Sequence, residues 1–212
     1  MSVDQFFSSI DYADLRARVF RPDYAGYKPN VVESPHGDGK LDAEKRYAHV
    51  SVKNMRTDEE RRDLLPYLEL AHNQALKAAR AMVLPVEFHP KMEFGALRVL
   101  EYPPGASSHR HEDFDLFTLM LYRNDPERFQ VDETHAGRAL AALQQVNTQG
   151  HLGEIASELG LGPATPHWVE PSTTAQHSIV YFAIPDHAAW LPSGITVGEW
   201  LKERLARSRV YR

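Results

Sequence analysis

The densest run of reactive side chains is Ser107-Ser108-His109-Arg110-His111-Glu112-Asp113-Phe114-Asp115. On an extended chain, residues i and i+2 share a face, so His111 and Asp113 can aim an imidazole nitrogen and a carboxylate oxygen at one ion. The 212 residues include eleven histidines and no cysteine. Thiolate nucleophiles, Fe–S clusters, disulfides and cysteine-held zinc are excluded, and any metal must be held by nitrogen and oxygen. Two histidines and one carboxylate on one side of an ion leave its other positions open. That is the usual arrangement of an oxygen-activating non-haem Fe(II) site.

A third ligand must come from elsewhere in the chain. His167, in Ala164-Thr165-Pro166-His167-Trp168-Val169, is the best placed, because the apolar strand at 178–184 follows it and a sheet would carry it back across the core. His36 falls in a loop, His49 and His72 in segments that read as surface, and His187 after a strand end. A lone His-x-Asp is weak evidence, and its flanks decide its value.

Positioning these groups needs a scaffold. Residues 20–56 are rich in Pro, Gly, Asn and charge and read as long irregular loops around short elements. Thr57-Asp58-Glu59-Glu60 is a capping-box start, and apolar residues then recur at Leu64, Leu68, Ala71, Ala75, Ala78, Ala79 and Met82. This predicts an amphipathic helix over 58–82, or two helices joined near Pro66. Residues 96–102, 116–122 and 178–184 are apolar and β-rich, the first and last stopped by Pro, so they read as strands. The alanine-rich 136–145 looks helical by propensity. Val197, Trp200, Leu201 and Leu205 share one face of a closing helix at 196–209. Helices, then strands, then a helix predict an α+β fold. A single domain over 1–212 is expected, with a loop and helix region at 1–90 and a core at 91–212.

The net charge of −5 argues against a phosphate-backbone binder. No apolar run approaches the ~18–20 residues of a membrane span. Residues 1–10 carry Asp4 and no basic cluster, unlike a signal peptide, so the cytoplasm is expected. A monomer or a homodimer is expected.

The flanks carry a resemblance. His111-Glu112-Asp113-Phe114-Asp115-Leu116-Phe117-Thr118-Leu119-Met120 resembles the His-Thr-Asp-Tyr-Gly-Leu-Leu-Thr-Leu-Leu signature of the isopenicillin-N-synthase-like Fe(II)/2-oxoglutarate oxygenases. Arg98-Val99-Leu100-Glu101-Tyr102-Pro103-Pro104 is similar to that family's strand ending in Tyr-Pro-Pro, and 164–169 to its Ala-Thr-Pro-His-Arg-Val. Val146-Asn147 and Gly150 fall where the family has Val-Asn-Ile-Gly, and Thr196-Val197-Gly198-Glu199-Trp200-Leu201 resembles its closing helix. The motifs span about residues 95–205, and the first 90 residues match only loosely.

The resemblance implies a double-stranded β-helix (jelly-roll) core with flanking N- and C-terminal helices, and iron bound by His111, Asp113 and His167. It makes 141–148 a strand, against the helical propensity. It implies that 2-oxoglutarate and dioxygen are consumed to give succinate and CO2 while a small-molecule substrate is hydroxylated, desaturated or cyclised. The carboxylate of Asp113 points away from halogenation, because halogenating members usually lack it.

One departure stands out. The family usually has Arg-x-Ser nine residues after the distal histidine, gripping a far carboxylate of 2-oxoglutarate or substrate. Here the residues are Gln176-His177-Ser178. A guanidinium offers charge and a bidentate fork that an amide lacks. Arg98 shares strand parity with Tyr102 and is the expected substitute, with Tyr102 and Ser178 as hydrogen-bonding partners. Arg110 has the opposite parity to His111. Arg123 has the right parity but lies about 30 Å along an extended strand unless the chain doubles back. Three other readings compete: a 2-oxoglutarate-independent Fe(II) oxidase, a cupin-like enzyme using His109-x-His111, and a silent metal-binding scaffold.

Overall fold

Nine strands form two antiparallel sheets in the computed structural model, which describes residues 7–31, 45–134 and 136–207. In chain order they are β1 (Tyr27–Val31), β2 (Lys45–Val50), β3 (Ala96–Tyr102), β4 (Ser108–His111), β5 (Phe117–Arg123), β6 (Phe129–Val131), β7 (His151–Leu152), β8 (His167–Val169) and β9 (Gln176–Ala183). The large sheet has the order β1-β2-β3-β9-β5-β7 and the small one β4-β8-β6. Tyr47, Leu100, Tyr102, Met120 and Val180 of the large sheet pack against Phe129 and Val169 of the small one, so the sheets face each other across an apolar interior. The other face of the large sheet carries the main core and the helices.

The helices are α1 (Ser9–Val19), α2 (Asp58–Ala81), α3 (Arg138–Val146), α4 (Glu154–Glu158) and α5 (Val197–Arg207). The capping box at Thr57 and Glu60 starts α2 as expected, and α2 runs unbroken through Pro66. Its stripe Leu64, Leu68, Ala71, Ala75, Ala78 and Ala79 is fully buried. The closing helix is α5, with Val197, Trp200 and Leu201 buried. No helix among the described residues is long and apolar enough to cross a membrane. Among the described residues of 20–56 the short elements are β1, β2 and one 3-10 turn. His36 and the Ser34–Gly39 run lie outside the described residues.

One implication of the resemblance is corrected. Residues 141–148 are not a strand: α3 covers them to Val146, burying Ala139, Leu140 and Leu143 and packing on α2. Alanine propensity governs this segment. The place beside β5 is taken instead by two-residue β7 and by the Asn147 side chain. Asn147 accepts from Met120 N at 3.1 Å and donates to Met120 O at 2.7 Å, so a side-chain amide continues the ladder.

Candidate metal centre and its cavity

His111 ends β4 and His167 begins β8, and the two are directly paired in the small sheet. Their rings lie 4.3 Å apart. Asp113 follows in the turn that carries the chain from the small sheet to the large one. That turn is pinned from one side: Gly153 N donates to Leu116 O, Glu154 N to Asp113 O and Ile155 N to Asp115 O. Gly153 permits this approach, because a Cβ there would run into the Asp115 carbonyl and carboxyl. Ligand atoms of His111, Asp113 and His167 all lie within 4.8 Å of one another.

Both histidines are oriented as nitrogen ligands. His111 Nδ1 donates to His109 O at 2.6 Å, and His167 Nδ1 to Thr165 O at 3.2 Å. With Nδ1 turned to a backbone carbonyl, each ring presents Nε2 as its ligand atom. Burial, and then the charges of His151 and His111, hold His167 well below the ordinary histidine range. Burial works against ionising Asp113, but His167, His151 and His111 more than offset it and hold it well below the usual carboxylate range. Asp115 goes the other way: burial and then the Asp113 charge push it well above that range. Thr118 Oγ1 lies 2.9 Å from Asp113 Oδ2 and 2.7 Å from Asp115 Oδ2. One hydroxyl proton cannot serve two carboxylates. Thr118 is placed to donate to either carboxyl, and the lower pKa of Asp113 favours that acceptor.

The metal group opens onto the cavity between the sheets, about 120 Å³ in volume. Its walls include Leu100, Met120, Val169 and Val180, and three cations line it: Lys45, Arg98 and Arg123. The β ladders set the cations in order. His49, Arg98, Val180 and Met120 form one row across β2, β3, β9 and β5. Tyr47, Leu100, Ser178 and Arg123 form the next, and Tyr102 pairs with Gln176 beyond it.

Arg98 and Tyr102 therefore share the interior face, as their parity predicts. Arg98 Nε donates to His49 Nε2 at 2.6 Å, and its guanidinium sits 4.6 Å from the Tyr47 ring and 4.5 Å from the Phe182 ring. His49 is thus not a surface residue but the partner of a cavity arginine. Ser178 lines the cavity too. The distance argument against Arg123 fails, because the chain doubles back between β4 and β5. Arg123 is 2% exposed and hydrogen-bonds Gln176 Oε1 through Nη2. It also donates from Nε to Asp125 O at 2.8 Å and packs 5.7 Å from the Phe129 ring. Gln176 is fully buried and donates to Glu170 O at 2.8 Å. The amide that stands where an arginine was expected thus holds an arginine from the neighbouring strand.

Sequence reasoning missed His151. It is 1% exposed on β7, opposite Thr118, with Nε2 3.1 Å from Asp113 Oδ2 and its ring 3.9 Å from that of His167. No local pattern marks it; only the β5–β7 pairing brings it to the centre. His109 is exposed and is not among the converging ligand groups.

No protein-family model matches the chain, and no curated protein does. Solved structures do. A Shewanella oneidensis protein named as a candidate oxygenase superposes with a TM-score of 0.59 at 18% identity, over 96% of this chain and 91% of that one. A full-length Neurospora crassa protein in complex with alpha-KG gives 0.57 at 14%, over 90% and 75%. JOX2 in complex with 2OG, Fe and JA gives 0.53 at 11%, over 91% and 72%. At these identities the likeness establishes a shared fold alone.

Proposed function

We propose that this chain is a non-haem Fe(II) oxygenase on a double-stranded β-helix core, using 2-oxoglutarate and dioxygen to oxidise a small-molecule substrate. The observation that carries the reading is the convergence of His111, Asp113 and His167 at a cavity lined by buried Arg123. The donor set fits the ion: two neutral imidazoles and one carboxylate suit Fe(II) and leave positions open. Bound iron would supply the redox chemistry that couples decarboxylation of the oxo acid to oxidation of a substrate C–H bond.

The chain's own residues bind, orient and exclude water. His111, His167 and Asp113 hold the ion. Arg123 provides the cation for the far carboxylate of 2-oxoglutarate, in place of the expected Arg98, with Ser178 beside it in the ladder and Tyr102 one row on. Gln176 aims that guanidinium from one side and Phe129 supports it from the other. A guanidinium in an apolar wall binds a carboxylate more strongly than one in water. Leu100, Met120, Val169 and Val180 keep the space between ion and cation dry. Arg98, nearer the metal end, then faces the substrate side of the same cavity.

The test is anaerobic addition of Fe(II), with and without 2-oxoglutarate, followed by visible absorption. A charge-transfer band that needs both components is expected. Iron binding without the band would favour the oxidase or scaffold readings, and no iron binding would end the proposal.

A further inference from the structure

His151 is a buried imidazole that neither the metal ligands nor the co-substrate residues account for. Its Nε2 lies 3.1 Å from Asp113 Oδ2, and its Nδ1 lies 3.3 Å from Gln149 O. The carboxylate is both nearer and charged, so it takes the ring proton, and Nε2–H is the donor. This is the opposite tautomer to His111 and His167, whose Nδ1 protons are given to backbone carbonyls. A protonated Nε2 cannot ligate a metal. His151 therefore differs in role from its two neighbours, despite ring contact with one of them.

The same oxygen, Asp113 Oδ2, also accepts from Thr118 Oγ1 at 2.9 Å. Two donors therefore hold this oxygen, which also lies 3.6 Å from His167 Nε2. The two donors come from directly paired positions, Thr118 on β5 and His151 on β7, so the ladder fixes them relative to each other. Leu152 N donates to Thr165 Oγ1 and Thr165 N to Leu152 O, which ties β7 to the approach of His167.

We infer that His151 is a positioning residue that, together with Thr118, holds the Asp113 carboxylate in the orientation that sets it beside the ligand nitrogens for the ion. This rests on the oxygenase reading and adds a consequence to it. A carboxylate free to turn about its Cβ–Cγ bond would lose its aim at the ion. Held by Thr118 and His151 together, Asp113 keeps the orientation that the ligand set needs.

The test uses Co(II) as the probe, titrated into the full chain by calorimetry with its d–d absorption recorded. His151→Leu keeps the volume and removes the donor. It is expected to weaken Co(II) binding about 10- to 100-fold and to alter the band shape. His151→Gln keeps an N–H donor and is expected to recover most of both. Wild-type affinity and an unchanged band in His151→Leu would overturn the inference. If His151→Leu does not fold, long-range 1H–15N correlation of the Zn(II)-loaded wild type decides. A protonated His151 Nε2 supports the inference, and a bare or zinc-bound Nε2 overturns it. Failure of the wild type to bind Co(II) would instead overturn the oxygenase reading, and this inference with it.

Discussion

Arg123 hydrogen-bonds Gln176 across the β5–β9 pair, with both side chains withdrawn from solvent. Burial lowers the Arg123 pKa, yet a guanidinium stays protonated in proteins, so the interior holds a permanent positive charge. A neutral amide holds the cation without neutralising it, and so keeps it able to attract an anion.

The first prediction follows from that pair. Arg123→Met should retain Fe(II) binding and weaken 2-oxoglutarate about 100-fold, in line with the loss of a buried charge-assisted partner. Titrating the co-substrate against the charge-transfer band measures this. Arg98→Met should change that affinity by much less. The reverse ranking would return the role to Arg98.

The ligand set makes a second prediction. Asp113→Ala and His167→Ala should each abolish stoichiometric Fe(II) binding, whereas His109→Ala should bind iron like the wild type. Metal analysis after anaerobic gel filtration checks this. Loss of iron in His109→Ala would revive the cupin-like reading.

His49 predicts a pH dependence. Burial, and then the Arg98 charge, hold it well below its ordinary value of 6.5. Arg98 donates to its Nε2, so the folded protein keeps it neutral. On unfolding it regains its ordinary pKa and takes up a proton below pH 6.5. Its contribution to stability is present above that pH and is lost as pH falls below it. His49→Gln should flatten the acid side of the stability profile by up to one bound proton, about 1.4 kcal/mol per pH unit. Urea midpoints measured from pH 7.5 down to 5 would show it, and parallel wild-type and variant profiles would refute it.

Asn147 predicts a stability effect without a charge. Its amide satisfies Met120 N and O where β7 has ended. Asn147→Ala would leave two buried backbone groups unpaired, at about 1–3 kcal/mol each before local relaxation. Equilibrium urea unfolding should show a loss of at least about 2 kcal/mol. A loss under 0.5 kcal/mol would mean that another group or water takes over the pairing.

The local signals were legible where chemistry or period is local. Thr57 and Glu60 cap α2 as their spacing demands, and β3, β5 and β9 sit within two residues of the apolar runs that predicted them. His111 and Asp113 are near neighbours in sequence, and their approach needs only one turn. His167 was found because it precedes a strand. The helix α3 was legible from alanine content, and only the family resemblance suggested otherwise.

The sequence by itself determined the donor types, nitrogen and oxygen without sulfur, and named the three side chains that converge. It also showed that position 176 lacks a cation. Only the tertiary structure brings a cation, Arg123, to that amide and an imidazole, His151, to the Asp113 carboxylate. Arg123 reaches Gln176 because the chain reverses between β4 and β5, so distance along the strand no longer measures distance in space. His151 reaches Asp113 because β7 pairs with β5 at Thr118. Register between segments tens of residues apart is set by how whole faces pack, and no short window of sequence contains that information.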